Sequence, residues 1–260
     1  MRQRRFGFSL VELLVVIAII ALLMAILLPV LTRVRRMARA TVCLTHLQQL
    51  DAAYHMYVNA NHNHSLPQGK DITSLMWFEL LQPYCGNIQG VLLCPEATEP
   101  GNMLGSAFMA WGPRRTYSVG EPKWIERGVY TGSYGFNEWL QEPRPEVRPL
   151  IETTLRSRFI DLPTVQSDRV PVFGDAIDEW AAPDSTDTPP YSLINPLPFN
   201  SGLGPPAPGP KGMMAYFCID RHFHAINVAF LDGHVERVTL EDLWKLRWNN
   251  LFRPKQVVLP

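Results

Sequence analysis

Net charge is what this sequence lacks first: 24 lysines and arginines stand against 24 aspartates and glutamates. A neutral balance gives no sign of the basic footprint that holds nucleic acid. Enzyme signatures are missing as well. There is no Gly-x-Ser-x-Gly, no His-Glu-x-x-His and no glycine-rich phosphate loop, so the chemistries those spacings serve are not indicated. Paired carboxylates such as Asp175, Asp178 and Glu179 occur only at spacings an exposed loop shows by chance. No enzymatic activity and no cofactor are therefore expected. There is no internal repeat of fixed period, which argues against a solenoid or propeller. Cysteine is limited to Cys43, Cys85, Cys94 and Cys218, a set that allows three pairings.

What the chain does have is concentrated at its start. A short basic leader ends in Gly7, Phe8 follows, and an apolar run continues through Leu28 with one interruption, Glu12. A carboxylate near the start of a membrane span costs roughly 2.5–3.5 kcal/mol on insertion scales, so its presence needs a reason. A conventional secretory signal has an apolar core of roughly 7–15 residues and a small-x-small cleavage site. Here Leu13–Leu28 is already sixteen uninterrupted apolar residues, and Pro29-Val30-Leu31-Thr32-Arg33 offers no such site. A plain signal anchor fits the length, since a span needs about 20 residues. It gives no account of Gly7 and Glu12 at their spacing. Charge counting leaves orientation close to a tie, with Arg2, Arg4 and Arg5 before the span and Arg33, Arg35, Arg36 and Arg39 after it.

The arrangement resembles the class III signal of type IV pilins and of the pseudopilins of type II secretion systems. The resemblance implies that a prepilin peptidase cuts between Gly7 and Phe8 and methylates the new amine of Phe8. It also implies that Glu12 pairs with such an amine during assembly. Residues 1–7 are then a cytoplasmic leader, 8–29 a single inner-membrane span, 30–62 a helical extension, and 63–260 an exported, periplasmic head. Losing Arg2, Arg4 and Arg5 with the leader takes the mature chain to about −3. The implied partners are the peptidase, other pilin-like subunits and the secretion or pilus machinery.

Beyond Pro29, Val34, Met37/Ala38, Thr41, Leu44, Leu47/Gln48, Leu50/Asp51, Tyr54 and Tyr57/Val58 recur at helical spacing, so the helix is expected to continue to about Asn61. From Phe8 it would run roughly 80 Å at 1.5 Å per residue. The head has room for a core, and 23 prolines with seven tryptophans suit a loop-rich, aromatic fold. Trp77–Leu81 reads as a short helix before Pro83. Val91–Cys94, Thr116–Val119, Ser133–Phe136 and Val170–Phe173 read as strands, with Pro171 confining the last to an edge or a strand start. Residues 183–210, with nine prolines, read as an exposed loop. Ala225–Leu231 and His234–Val238 flank Asp232-Gly233, which predicts a two-residue type I′ hairpin with both turn residues at positive φ. Thr239 and Asp242 then form a capping box that opens a helix through Leu243, Trp244 and Trp248. The fold class is α+β: a long N-terminal helix packed on a mainly antiparallel sheet.

The hairpin carries a second resemblance. His222, nine intervening residues and Asp232-Gly233 match the H-x9-D-G pattern of a group of prepilin-type proteins. Cys43 with Leu47, Gln49 and Leu50, then Cys94-Pro95, then Ser133–Asn137 agree with that group, and His46 departs from it where asparagine is usual. The landmarks imply a Cys43–Cys94 bridge, which leaves Cys85–Cys218 as the other. His222, His224, Asp232 and His234 are ligand types for zinc or calcium. Zinc, however, wants three or four fixed ligands with a second shell. The plainer reading is that Asp232 makes the turn and His222 pins the hairpin through a backbone or carboxylate hydrogen bond. His55, His62 and His64 are expected in solvent. Two functions follow, a pseudopilin that assembles or a membrane-tethered exported binding module that does not.

Overall fold

A computed structural model describes residues 10–68, 75–100, 104–120, 123–143, 157–160, 167–195 and 212–260. By packing the chain divides after Ala38. Helix α1 runs Leu10–Ala60 as one element and carries Pro29 inside it. In the first unit its apolar side chains, Leu10 through Leu31, are exposed. Burial begins at Cys43 and continues through Leu47, Leu50, Asp51, Ala53, Tyr54 and Val58.

In the second unit, α2 (Trp77–Cys85) does not stop at Pro83 but runs two residues further, to a left-handed Gly86. Its last turn is held by packing: Tyr84 meets Tyr57 edge-on at 6.1 Å, and Cys85 lies against the core. That burial offsets the hydrogen bond proline removes. The strand expected at Val91–Cys94 is absent. A one-turn helix, α3 (Ile88–Val91), takes its place, capped by the Asn87 side chain accepting from the Gly90 N–H at 3.2 Å.

Strand β1 (Glu99–Pro100) pairs with β2 (Met109–Gly120), which pairs antiparallel with β3 (Lys123–Gly132). The second sheet holds β4 (Tyr134–Asn137), β5 (Pro171–Asp175), β6 (Trp180–Ala181), β7 (Ala225–Phe230) and β8 (Val235–Thr239) in the order β6-β4-β5-β7-β8. Only the β4–β6 pair in it is parallel. Pro171 opens β5, the central strand, where a missing N–H is tolerated.

Alternation along β7 explains why the sheet is buried on both faces. Ile226, Val228 and Phe230 enter one apolar cluster with Phe217, Trp244 and Trp248. Ala229 enters another with Leu47, Tyr54, Phe136 and Phe173, while Asn227 donates to the Ala40 carbonyl on α1 at 3.1 Å. The segment 183–195 belongs to this fold and is not a free loop. Trp139 and Asn249 donate to the Pro183 carbonyl, and the Asp187 carboxylate accepts from the Asp184 and Met214 N–H groups. Residues 196–211 lie outside the described residues.

Candidate functional site

Two regions bear on function. At the amino terminus, Gly7 and Phe8 lie outside the described residues. Glu12 stands in the first turn of α1. Among the described residues α1 is the one helix long and apolar enough to cross a membrane, and none of its apolar window is buried.

The second region is the approach to β7. Phe223 and His224 both take left-handed conformations, φ 55° and 60°. The His222 N–H bonds the Ala225 carbonyl at 2.9 Å, and the His224 N–H bonds the Asp220 carboxylate at 2.6 Å. This tight reversal leaves Phe223 and His224 outside and turns Arg221 and His222 into the interior, both buried. Arg237, on β8, clamps the reversal by donating to the His222 carbonyl at 3.0 Å and to the Phe223 carbonyl.

Inside, His222 Nε2 lies 3.3 Å from Asp175 Oδ2 and 3.4 Å from Cys94 Sγ. Cys43 Sγ donates toward Asp175 Oδ1 and Oδ2 at 3.4 and 3.6 Å. One ligating atom from each of Cys43, Cys94, Asp175 and His222 lies within 4.8 Å of the others. Asp175 ends β5, and the first turns of the packed half of α1 bring Cys43 above it. Arg221 pairs with Asp175 Oδ1 at 3.1 Å and donates to the carbonyls of Ser106, Ala107, Ser133 and Ala176. The Asn227 N–H bonds Oδ2 at 2.8 Å.

Burial opposes charge on Asp175, but the His222 and Arg221 cations outweigh it and hold the carboxyl at about 2. Burial likewise opposes the His222 cation, and Asp175 raises it to about 10. Burial pushes the Cys94 thiol up; hydrogen bonds from Cys43 and His222 with the Arg221 charge bring it down to about 7. Cys43 goes the other way, well above the usual thiol range, through burial and the anionic character of its neighbours.

The other residues expected to act at this end go elsewhere. His224 pairs with Glu241 at 2.8 Å, and His234 pairs with Asp232 at 2.5 Å while stacking on Phe230. The metal set read from sequence, His222, His224, Asp232 and His234, therefore does not converge; only His222 faces inward. Asp232 does not take the positive φ of a type I′ turn. Gly233 alone is left-handed, at φ 93°, with its N–H on the Phe230 carbonyl and the Phe230 N–H on the His234 carbonyl. This is a three-residue connection, a type I turn closed by a glycine bulge. Cys43 and Cys94 are brought together as free thiols, whereas Cys85 and Cys218, also free, lie against different apolar clusters.

His64 is exposed beside Glu142 and His62 is exposed, but His55 is half-buried, 3.5 Å from a buried Asp51. The capping box is looser than expected: Thr239 Oγ1 bonds the Asp242 side chain, Leu240 caps, and Glu241–Lys245 is a single 3-10 stretch that stops short of Trp248. Asp175, Asp178 and Glu179, read as an exposed loop, are all buried. Arg114 from β2 compensates the last two, contacting Asp178 and lying 2.7 Å from Glu179, whose carboxyl burial and Asp178 nonetheless raise to about 8. Sequence reasoning missed Asp175 as the partner of His222. Its one local signal is a carboxylate closing the apolar run Val170–Gly174.

Residues 2–28 match the family model of the prokaryotic N-terminal methylation motif. No curated protein and no solved structure matches the chain. The amino terminus is thus a type IV pilin-like methylation signal of the kind a prepilin peptidase processes, on an apolar helix suited to a single-pass membrane anchor.

Proposed function

We propose that the chain is a pseudopilin, a structural subunit of a type II secretion-like or pilus system. It would be held in the inner membrane with its leader cytoplasmic and its head periplasmic. The observation that carries this reading is the methylation motif over residues 2–28 leading into an exposed apolar helix that continues without a break into a packed head. The fold supports a structural role over an enzymatic one, because Cys94 and His222, the pair closest to a nucleophile and base, are both sealed in the core. Assembly would use helix packing in lipid together with an ion pair between Glu12 and the methylated amine of Phe8 on a neighbouring subunit. An unpaired carboxylate in hydrocarbon is costly and a paired one tolerable.

Processing and assembly can be tested separately. Gly7→Val puts a side chain at the scissile bond, and the leader should remain uncut, as read by mass spectrometry of the N-terminus. Glu12→Ala should be cut and stay in the membrane yet lose crosslinks to other pilin-like subunits. If Glu12→Ala crosslinks as well as the parent, assembly through this carboxylate is wrong, and a tethered binding module becomes the better account.

A further inference from the structure

We propose that Cys43, Cys94, Asp175 and His222 form a four-coordinate site for a zinc-like divalent metal ion, which ties α1 to the central sheet. Independent of filament assembly, this rests on four kinds of observation. The first is geometry. A tetrahedron with metal–sulfur distances of about 2.3 Å and metal–nitrogen or –oxygen distances of about 2.1 Å has edges of roughly 3.4–3.6 Å between unlike ligands. The direct contacts supply three such edges: 3.4 Å from Cys94 Sγ to His222 Nε2, 3.3 Å from His222 Nε2 to Asp175 Oδ2, and 3.6 Å from Cys43 Sγ to Asp175 Oδ2. All four residues are buried, as a structural metal centre requires.

The second is the surrounding shell. Asp175 presents both oxygens to Cys43 and Oδ2 to His222, while Arg221 holds Oδ1 at 3.1 Å and the Asn227 N–H braces Oδ2 at 2.8 Å. Partners that orient a ligand in this way are the usual support of a metal site. The third is charge. Two thiolates and one carboxylate against a divalent cation and the buried Arg221 guanidinium sum to zero, with His222 neutral. The fourth is Tyr134, whose fully buried hydroxyl faces the cluster, with Cys43 as a hydrogen-bonding neighbour and Cys94 and Asp175 acting on it electrostatically. A metal-bound thiolate would give it an anionic acceptor. Two thiolates also set the class of ion, because calcium and magnesium take oxygen ligands.

Binding balances as the loss of two protons to solvent, one from Cys43 and one shared by Cys94 and His222. A Cys43–Cys94 disulfide is the competing state of the same sulfurs. It would remove both thiols as partners of His222 and Asp175 and give Tyr134 no anionic sulfur as acceptor.

The test uses the full chain purified in detergent without chelator. Elemental analysis should find about one zinc per chain, and intact mass after metal removal should correspond to four free thiols. Exchange into cobalt(II) should give the visible bands of a tetrahedral ion with thiolate-to-cobalt charge transfer. Asp175→Asn and His222→Ala should abolish or strongly weaken those bands, Tyr134→Phe should weaken binding by about tenfold, and Cys85→Ser with Cys218→Ser should leave them intact. Should the ligand variants fail to fold, the parent chain alone still decides. A metal-free chain two hydrogens lighter, with Cys43 and Cys94 in one crosslinked peptide, would overturn the proposal. So would a reduced parent that takes up no cobalt, or cobalt bands that survive loss of Asp175 and His222.

Discussion

Asp51 is a carboxylate placed where none would be chosen for stability alone. It is 2% exposed on α1, its Oδ1 has no hydrogen-bond partner, and its nearest basic group, His55, is itself pushed toward neutrality by burial. Burial first, then Asp232 of the facing turn, raise the Asp51 carboxyl to about 8. Because the folded value exceeds the unfolded one, the protonated form is the one the fold favours. The contribution of Asp51 to stability is fully present below about pH 4 and is lost as the pH rises toward 8, at up to about 1.4 kcal/mol per pH unit. Asp51→Asn should therefore raise the melting temperature, and the gain over the parent should widen between pH 5 and pH 8. Melting curves that stay parallel across that range would show that Asp51 is ionised and accommodated. Little of this was legible in the sequence. Asp51 sits beside Leu50 on a helical stripe, and periodicity alone cannot say whether a boundary carboxylate faces solvent or protein.

At the scale of elements, short-range pattern located the long helix and the final hairpin but not the turn details. The Asp-Gly pair located the hairpin between β7 and β8, yet the turn class came out differently because Leu231 is drawn into the loop by its N–H bond to the Val170 carbonyl at 2.9 Å. The difference is measurable. A type I′ turn would penalise alanine at both positions, whereas here only Gly233 needs the left-handed region. Gly233→Ala should destabilise the head by about 1–2 kcal/mol in chemical denaturation. Its cost is backbone strain, since an added Cβ would meet nothing closer than Asp51 Oδ2 at 3.8 Å. Asp232→Ala should cost clearly less. Equal losses at both positions would restore the two-residue turn. Element boundaries elsewhere moved for a comparable reason. Tertiary packing carried α2 through Pro83, and Asn87 capping turned an apolar run that reads as a strand into a turn of helix.

On the scale of the whole molecule, one helix serves two solvents. Leu47, fully buried, and Leu22, 64% exposed, are the same residue type on the same element. Leu47→Ala should cost about 2–5 kcal/mol when unfolding of the full chain in detergent is followed by tryptophan fluorescence. Leu22→Ala should leave that transition in place. If both substitutions destabilise the head alike, the division of labour along α1 is wrong. The sequence by itself determined the methylation signal, the apolar span, the helix that continues past Pro29, and the place of the final hairpin. Each of these is written in neighbouring residues through hydropathy, helical period or the backbone freedom of glycine. Only the tertiary structure decided what His222 faces, because its partners Cys94 and Asp175 come from other elements, and Cys43 approaches Asp175 across 132 positions of sequence. It likewise decided that Asp178 and Glu179 are buried, since the guanidinium that compensates them is Arg114, on a strand of the other sheet. A buried charge is tolerated only where its counter-charge is delivered, and that delivery depends on which elements pack together, not on spacing along the chain.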